Sequence, residues 1–375
     1  MNVCVLTTFP PAKCGIADFT EALCTEMSRF QDLFISVLTN KGPTTEDRGS
    51  VSPFRIIDTV DFHRSPTSLI RLVREVDPDV VHLQMAPSLF SNIDYVTLAT
   101  AIRPPLITTV HETCPLAIRH LHNALPFMLL YNSSRRLIVH SERTKRLLTD
   151  SYRISAKKIV HIDLGVDLER FTSNESTGLW RQLKVGSHPL IMFFGFLRPD
   201  KRIEDLIAAF ANIKKDLPGA KLVLAGEELS GRPPGGGYTD LLTKLAAKLN
   251  VRKDVTFTGY VDASEVCACF ATADIVVLPH EDRFQSASIS WAFAAKKPVI
   301  ARRSTAFNEV VKDGQNGLLF DTVKELSDCI KRLAIDPGLA MKLAENARKF
   351  SESRFNLQTV ALKHRQVYSA VNEEA

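Results

Sequence analysis

The sequence predicts an α/β protein made of two doubly wound parallel-sheet domains in tandem. Two patterns predict this fold class: apolar, β-branched runs alternate with segments of helical periodicity, and the alternation restarts after a polar stretch at residues 173–188. Strands that read as continuous apolar runs are buried on both faces, and helical crossovers between them make a sheet parallel. A chain of 375 residues is long enough for two such domains, at about 100–200 residues each.

The first series of runs predicts an N-terminal domain over residues 1–172. Helical periodicity appears between its strands at 17–29, 65–76 and 142–150. The predicted strands are 2–7, 34–39, 54–57, 79–84, 106–110, 137–141 and 159–163.

The second series predicts a C-terminal domain over residues 189–354, and the polar stretch 173–188 is the predicted linker. Periodicity also predicts two final helices, 337–350 and 357–370, without assigning them to a domain. The predicted strands of this series are 190–196, 221–226, 255–260, 274–279, 298–302 and 317–320, and its predicted helices are 203–215, 239–249, 263–272, 286–295 and 323–334.

Composition excludes several classes of protein. Hydrophobic residues make up 45% of the chain and charged residues 24%, as in a soluble globular protein. The seven cysteines are odd in number and contain no C-x-x-C pair, which argues against a disulfide framework or a zinc site and for a cytoplasmic protein with reduced thiols. No secretory signal or membrane span is predicted. The net charge of +5 is mild and predicts no nucleic-acid partner.

Open parallel sheets bind ligands at the carboxyl ends of their strands, so the loops after strands are the candidate sites. Gly15 follows the first strand and precedes a helix, where its backbone can approach a phosphate or sugar; the alternative is a plain turn glycine. His111 follows the strand 106–110 and can hydrogen-bond a substrate hydroxyl or shuttle a proton, or else bond a loop carbonyl. His82 lies inside a strand and is interpreted as structural.

In the second series the clearest signal is a turn rich in cations. Gly195 ends a strand, and Arg198 and Lys201 lie in the turn that opens the next helix. Two cations beside a helix N-terminus stabilise the charge that grows on a diphosphate leaving group, although they can also be plain surface charges.

Further candidates follow the other strands of this series. Gly226 lies in a strand-to-loop turn, and the backbone around Tyr260 and Val261 can read the edge of a base. Glu309 can accept hydrogen bonds from ribose or sugar hydroxyls, or it can cap its helix. The same two-domain pattern also occurs in dinucleotide-dependent oxidoreductases. No G-x-G-x-x-G follows any strand, which argues against that interpretation.

Taken in order, these segments resemble the retaining, nucleotide-sugar-dependent glycosyltransferases of family 4, which have the GT-B fold. The segments that carry the resemblance are "DPDVVHLQ", "ITTVHET", "HIDLGVDLERF", "FFGFLRPDKRIEDLIAAF" and the long donor-site segment from "VVLPHEDRF" to "DGQNGLLF".

The resemblance implies an N-terminal acceptor domain and a C-terminal donor domain, two Rossmann-like folds that face each other across a cleft. It implies that a final helix, about 355–375, returns to the N-terminal domain. Gly15 would border the donor phosphates and His111 the transferred sugar, while Arg198 and Lys201 would hold the diphosphate and Glu309 would lie deeper in the donor site. No metal or cofactor is implied, and the donor would be linked to UDP or GDP.

The chain departs from the family pattern in the donor-site segment. The two glutamates of the family's E-x7-E motif fall on Arg283 and Trp291. A subset of the family has "QSG" here, which Gln285 and Ser286 match, whereas Ala287 replaces the glycine. A later family glycine is replaced by Lys296.

The predicted function is retaining transfer of a sugar from a nucleotide-diphosphate sugar to a glycan, lipid-linked or small-molecule hydroxyl acceptor, in polysaccharide, glycolipid or natural-product assembly. The alternative is a weak or inactive protein of the same fold that binds a nucleotide or a partner. The segment 119–148 mixes apolar and basic residues. It predicts either a core helix or a surface that docks on anionic lipid at the inner face of the membrane.

Overall fold

The computed structural model of the protein describes residues 1–40, 53–59, 66–87, 89–113, 121–172, 178–186, 189–228, 237–280 and 286–374. The chain divides into two compact units. Unit 1 comprises Met1–Gly165 together with Leu357–Ala375, and unit 2 comprises Val166–Asn356.

Among the described residues, unit 1 contains a parallel sheet of seven strands in the order β3-β2-β1-β4-β5-β6-β7. Its strands are β1 Asn2–Thr7, β2 Phe34–Asn40, β3 Arg55–Thr59, β4 Val80–Met85, β5 Leu106–Val110, β6 Arg136–Val139 and β7 Ile159–His161. Its helices are α1 Gly15–Met27, α2 Pro66–Val76, α3 Asn92–Ala101, α4 Leu121–Ser133, α5 Glu142–Asp150 and, after unit 2 in the chain, α14 Leu357–Glu373.

The described part of unit 2 contains a parallel sheet of six strands in the order β10-β9-β8-β11-β12-β13. The strands are β8 Leu190–Phe194, β9 Lys221–Ala225, β10 Val255–Phe257, β11 Ile275–Leu278, β12 Val299–Arg302 and β13 Leu318–Phe320. The helices are α6 Gly178–Lys184, α7 Ile203–Ile213, α8 Tyr238–Lys248, α9 Val266–Thr272, α10 Ala287–Ala294, α11 Thr305–Val310, α12 Val323–Ile335 and α13 Pro337–Arg354.

Both sheets are doubly wound and reverse their strand order at one place. The reversal lies between β1 and β4 in unit 1 and between β8 and β11 in unit 2. Loops that follow the strands at such a switch point diverge to opposite faces of the sheet and leave a crevice for a ligand. The predicted fold class is thus confirmed, and each unit has one edge at which to look for a site.

Burial explains why these strands read as continuous apolar runs. Every residue of β4 is buried, and so are all residues of β5. In unit 2 the alternate residues of β8 enter two separate cores, with Met192 on one face and Ile191 and Phe193 on the other. Helices cover both faces of the sheet, so neither face of a central strand needs polar residues.

The boundary between the units differs from the predicted one. Unit 2 begins at Val166, earlier than the predicted domain end at residue 172, because Val166, Leu168 and Phe171 pack into its core. The predicted linker 173–188 is not a plain connector either. It contains α6, whose Trp180 is only 2% exposed and belongs to the same core.

Helix α14 completes unit 1 from the far end of the chain. It packs against α1 and β4, with its apolar residues Val360, Val367 and Val371 buried. On its outer side, Arg365 forms an ion pair of 3.0 Å with Asp32.

No helix among the described residues is long and apolar enough to cross a membrane.

Candidate functional site

Beside the switch point of unit 2, two glycines let the loops after β8 and β9 approach each other closely. Gly195 has φ +137° and Gly226 has φ +149°, a conformation that favours glycine. A Cβ atom added to Gly226 would lie 2.0 Å from the carbonyl oxygen of Gly195. The close approach of the two backbones therefore requires glycine at position 226. The sequence predicted Gly226 as a site residue only from its position in a loop, and the structure gives it a packing reason as well.

Lys201 lies at the end of a short 3-10 turn, Pro199–Lys201, between β8 and α7. Its ammonium Nζ is 3.0 Å from Nε2 of His280, which follows β11. Burial, with the Lys201 charge next in effect, lowers the pKa of His280 well below its usual value. The imidazole is therefore neutral, accepts the hydrogen bond through Nε2 and carries its proton on Nδ1.

The Nδ1–H group of His280 is a buried hydrogen-bond donor. His280 is 3% exposed, and its Nδ1 has no hydrogen-bond partner among the described residues. A buried donor without a partner costs about 1–3 kcal/mol. His280 was not among the residues predicted from sequence, although it directly follows the predicted strand 274–279, the same kind of signal that identified His111.

A buried arginine anchors the loop that carries His280. Arg302 ends β12 and donates from Nε to the carbonyl oxygen of Pro279 over 2.6 Å and from Nη1 to that of Asp321 over 2.8 Å. Its third nitrogen forms an ion pair with Asp205 in α7. One planar guanidinium thus ties the ends of three neighbouring segments together.

Arg198, the second predicted cation, is engaged by a neighbouring carboxylate. Its Nε lies 2.9 Å from Oδ1 of Asp200, and its Nη2 lies 2.5 Å from Oδ2. This bidentate pair is part-exposed, so water weakens it. A second anion would have to compete with Asp200 for the same N–H edge of the guanidinium.

Helix α10 follows β11 and begins at Ala287, with Ser286 as the residue before it. The Ser286 side chain makes no capping hydrogen bond, and Ser288 bonds instead to the carbonyl oxygen of Phe194 at 3.0 Å. Gln285 and Arg283 lie outside the described residues.

Trp291 stands where a family glutamate would be expected, and the structure gives it a packing role. Its ring lies 5.3 Å from that of Phe194 and 6.2 Å from that of Phe270, both edge-on. Trp291 thus extends the apolar core at the end of β8 and cannot replace a carboxylate.

The remaining predicted residues of unit 2 occupy different environments. Tyr260 is half-buried, whereas the Val261 side chain is 8% exposed and packs in the core, leaving only its backbone for a ligand. Glu309 lies in the last turn of α11 and is half-buried. It does not cap the start of that helix, because the side chain of Ser304 does so.

In unit 1, Gly15 opens α1 directly after the loop that follows β1. It is exposed, and an added Cβ would meet nothing within 4 Å among the described residues. Neither crowding nor a positive φ requires glycine here, so the fold does not explain its presence.

His111 follows β5 and is half-buried beside β4. Its Nε2 lies 2.6 Å from Oε1 of Gln84, and its ring centroid is 4.9 Å from that of His140 and 5.8 Å from that of Phe19. Burial, followed by the nearby His140, lowers the pKa of His111 well below its usual value. The ring is therefore a neutral hydrogen-bonding group, suited to a sugar hydroxyl.

Two family models match the chain in tandem. The model described as Glycosyltransferase Family 4 matches residues 14–170, and the model described as Glycosyl transferases group 1 matches residues 179–350. The chain belongs to the family 4 glycosyltransferases.

Curated relatives of this glycosyltransferase include several mycobacterial enzymes. The GDP-mannose-dependent alpha-(1-6)-phosphatidylinositol monomannoside mannosyltransferase of Mycolicibacterium smegmatis is 25% identical over 95% of this chain and 94% of that protein. The protein of the same name from Mycobacterium tuberculosis is 29% identical, but the match covers only 56% of this chain and 55% of the relative. Glycogen synthase of M. tuberculosis is 29% identical over 78% of this chain and 69% of that enzyme.

Solved structures show the same fold over the full length of this glycosyltransferase. The sucrose-phosphate synthase of Thermosynechococcus elongatus matches with a TM-score of 0.81 at 19% identity, covering 100% of both chains. Anabaena HepE in complex with UDP and glucose matches with a TM-score of 0.80 at 20% identity, covering 99% of this chain and 100% of the other. The predicted GT-B class is confirmed by these likenesses.

The described part of this glycosyltransferase contains no group of three or more histidine, cysteine, aspartate or glutamate side chains placed to hold a metal ion. Its positive charges near the switch point of unit 2 include Arg198, Lys201 and Arg302.

Proposed function

We propose that the chain is a retaining glycosyltransferase that moves a sugar from a nucleotide-diphosphate sugar to a hydroxyl acceptor without a metal ion. The observation that carries this proposal is the Lys201 ammonium, which His280 holds at the switch point of unit 2. A fixed cation at this edge of a doubly wound sheet supports binding of a diphosphate.

Charge stabilisation is the main task in this reaction. The bond between the anomeric carbon and the donor phosphate oxygen breaks, and the acceptor oxygen forms a new bond to the same carbon. Lys201 and Arg198 would stabilise the negative charge that develops on the departing diphosphate. The acceptor's proton would pass to the leaving phosphate on the same face of the sugar, which keeps the anomeric configuration.

The other predicted residues receive supporting roles in this proposal. His111, as a neutral imidazole, would hydrogen-bond a hydroxyl of the transferred sugar. Gly15 would let the backbone at the start of α1 approach the donor, and the backbone at Tyr260 and Val261 would contact the base. Gln285, Ser286, Ala287 and Glu309 would line the sugar and ribose side, with Gly195 and Gly226 shaping the turn beneath them.

The donor we propose is linked to UDP or GDP. The mycobacterial mannosyltransferases are described as GDP-mannose-dependent, and HepE was solved with UDP-glucose. The acceptor we propose is a glycan or a lipid-linked sugar, in a cytoplasmic reaction. A peripheral contact with anionic membrane belongs to this proposal because α4 exposes Leu125 and Leu129, 51% and 44% exposed, one turn apart.

The test is a thermal-shift screen of the full chain against UDP, GDP, ADP and dTDP and their common sugar conjugates. One nucleotide should raise the melting temperature, and Lys201→Ala should abolish that shift. The exposed Lys215→Ala in the same unit is the matched control and should keep it. No shift with any nucleotide would contradict the proposal.

A second candidate, a nucleotide-binding protein without transferase activity, is favoured by the packing of Trp291 at an expected glutamate position. Product analysis separates the two. Release of free nucleoside diphosphate with a glycosylated product, undiminished by EDTA, supports the metal-independent enzyme. Tight binding of the nucleotide sugar without turnover supports the binding protein.

A further inference from the structure

A chain of buried polar side chains in unit 1 runs from His111 to the C-terminal helix. Gln84 lies in β4, and its Oε1 is 2.6 Å from Nε2 of His111. The Nε2 of the same carboxamide lies 3.5 Å from Nε2 of His82, two residues earlier in the strand. Both Gln84 and His82 are 0% exposed.

His82 extends this chain in two directions. Its Nε2 is 2.7 Å from Oγ1 of Thr109 in β5, and its Nδ1 is 2.7 Å from the hydroxyl of Tyr368 in α14. Thr109 and Tyr368 are also 0% exposed. Water therefore cannot substitute for a missing partner at any of these atoms, and each proton has to be placed by the side chains themselves.

With the carboxamide of Gln84 oriented as it is here, one arrangement of protons satisfies every pair. The amide oxygen of Gln84 accepts from Nε2–H of His111, so the amide nitrogen faces His82. Thr109 and Gln84 both donate to Nε2 of His82, which places the His82 proton on Nδ1, where it is donated to the oxygen of Tyr368. The orientation of the Gln84 amide thus fixes the direction of each hydrogen bond from His111 to Tyr368.

We infer that Gln84 and Tyr368 are positioning residues that hold His111 as the Nε2–H tautomer, with Nδ1 as the ring atom that accepts a hydrogen bond from a sugar hydroxyl. This inference rests on the proposed function for its catalytic meaning, but the tautomer itself does not depend on a substrate. The other titratable rings beside this chain are His140, whose centroid lies 4.9 Å from that of His111, and His364, whose centroid lies 5.8 Å from that of His82.

The role of Gln84 differs from simple packing. A side chain that only filled space could be replaced by leucine at little cost to its neighbours. Leucine would instead leave Nε2–H of His111 without an acceptor and free the ring to adopt either tautomer. Glutamate would keep the acceptor and favour a protonated His111, so Gln84→Leu and Gln84→Glu have opposite effects on the ring.

The first experiment measures the tautomer directly. The full chain is labelled with ¹⁵N-histidine, and His111 is assigned by the signals lost in His111→Asn. The wild type should show a protonated Nε2 and an unprotonated Nδ1 for His111. Gln84→Leu should give a mixture of tautomers, and Tyr368→Phe a smaller shift in the same direction. Tyr95→Phe is the matched control, since this buried hydroxyl donates to Ala86 at 2.6 Å and lies outside the chain of bonds.

The second experiment measures catalysis with the nucleotide sugar found in the screen. Gln84→Leu should lower kcat by about tenfold to a hundredfold, the size of effect seen for residues that orient a metal-ligating histidine, with the donor KM nearly unchanged. Gln84→Glu should recover part of kcat and move the acidic limb of the pH profile upward, because a carboxylate stabilises the imidazolium.

The two experiments fail independently. An unchanged His111 tautomer in both Gln84→Leu and Tyr368→Phe would overturn the inference whatever the activity. If the variants change the His111 tautomer but the wild-type protein transfers no sugar, the positioning role stands and the proposed function is contradicted. If Gln84→Leu does not fold, the more conservative Tyr368→Phe decides the result.

Discussion

The Lys201 ammonium donates a hydrogen bond to Nε2 of His280 over 3.0 Å, and this bond joins the loops that follow β8 and β11. Those two strands flank the switch point of unit 2. A lysine side chain has four rotatable bonds and loses considerable entropy when a ligand fixes it. Because the hydrogen bond to His280 already restricts the side chain, part of this entropy is lost before a diphosphate binds.

Replacing His280 should therefore weaken diphosphate binding specifically. We expect His280→Leu to raise the Kd of the preferred nucleoside diphosphate about tenfold, the equivalent of one hydrogen bond to a charged group. His280→Gln places an acceptor near the position of Nε2 and should keep the Kd within about threefold of wild type. Titration calorimetry measures both. The matching nucleoside, which lacks phosphates, should bind all three proteins alike; an equal loss for the nucleoside would mean a structural defect.

Alanine at two of the glycines should have different effects, on stability at Gly226 and on activity at Gly15. Gly226→Ala brings a Cβ within 2.0 Å of the Gly195 carbonyl oxygen, so the free energy of unfolding should fall by about 3 kcal/mol or more. The Cβ added by Gly15→Ala meets no atom within 4 Å among the described residues. The free energy of unfolding should therefore stay within about 0.5 kcal/mol of the wild-type value. Chemical denaturation measures both, and a transfer assay should show that Gly15→Ala loses activity without losing stability. Full activity in Gly15→Ala would favour the plain turn glycine.

Unit 1 should lose stability in mild acid. Burial lowers the pKa of His140 and of His364 from 6.5 to about 4. The unfolded chain therefore binds more protons than the folded one between these values, and stability falls as the pH falls through this window. Each of the two histidines should lower the free energy of unfolding by about 2 kcal/mol between pH 7 and pH 5. Denaturation curves at both pH values measure the difference.

A variant of His140 tests the cause of that loss. His140 Nδ1 lies 2.7 Å from the carbonyl oxygen of Ile162, and an asparagine amide can donate to the same oxygen without titrating. His140→Asn should therefore lose about 2 kcal/mol less than wild type between pH 7 and pH 5. An identical loss in the variant would assign the acid sensitivity to other groups.

The protein should be more stable with glycine at position 296, where the family pattern has a glycine, than with Lys296. It follows α10 with φ +55°, where an L-residue with a side chain is strained. Lys296→Gly should raise the free energy of unfolding by about 1 kcal/mol, because the lost ion pair with Glu345, 3.3 Å apart and half-exposed, contributes little. Lys244→Gly in the middle of α8 is the control and should lower it by about 1 kcal/mol. Thermal and chemical denaturation should agree on both signs.

The elements of the fold were predictable from sequence because strands buried on both faces leave a strong local signal. Each of the predicted strands is present in the described residues, within a few residues of its expected bounds. The unit boundary was not predictable in this way. Val166, Leu168 and Phe171 are scattered apolar residues without a period, and only their packing assigns them to unit 2.

The candidate site was predictable only one residue at a time. Lys201 and His111 follow strands and are chemically suited to a site, so position and residue type identified them. Their partners were not identified, because His280 is 79 residues from Lys201 and Gln84 is 27 residues from His111. Contacts between distant loops depend on the order of strands in the sheet, which periodicity does not specify.

Helix α14 also determines when unit 1 can be finished during synthesis. The ribosome makes β1 to β7 first, then the whole of unit 2, and only then the helix that packs on α1 and β4. Until Tyr368 emerges, His82 lacks one of its partners and a buried face of unit 1 is open to solvent. A premature stop codon just before α14 would therefore damage unit 1, most of which precedes unit 2 in the chain.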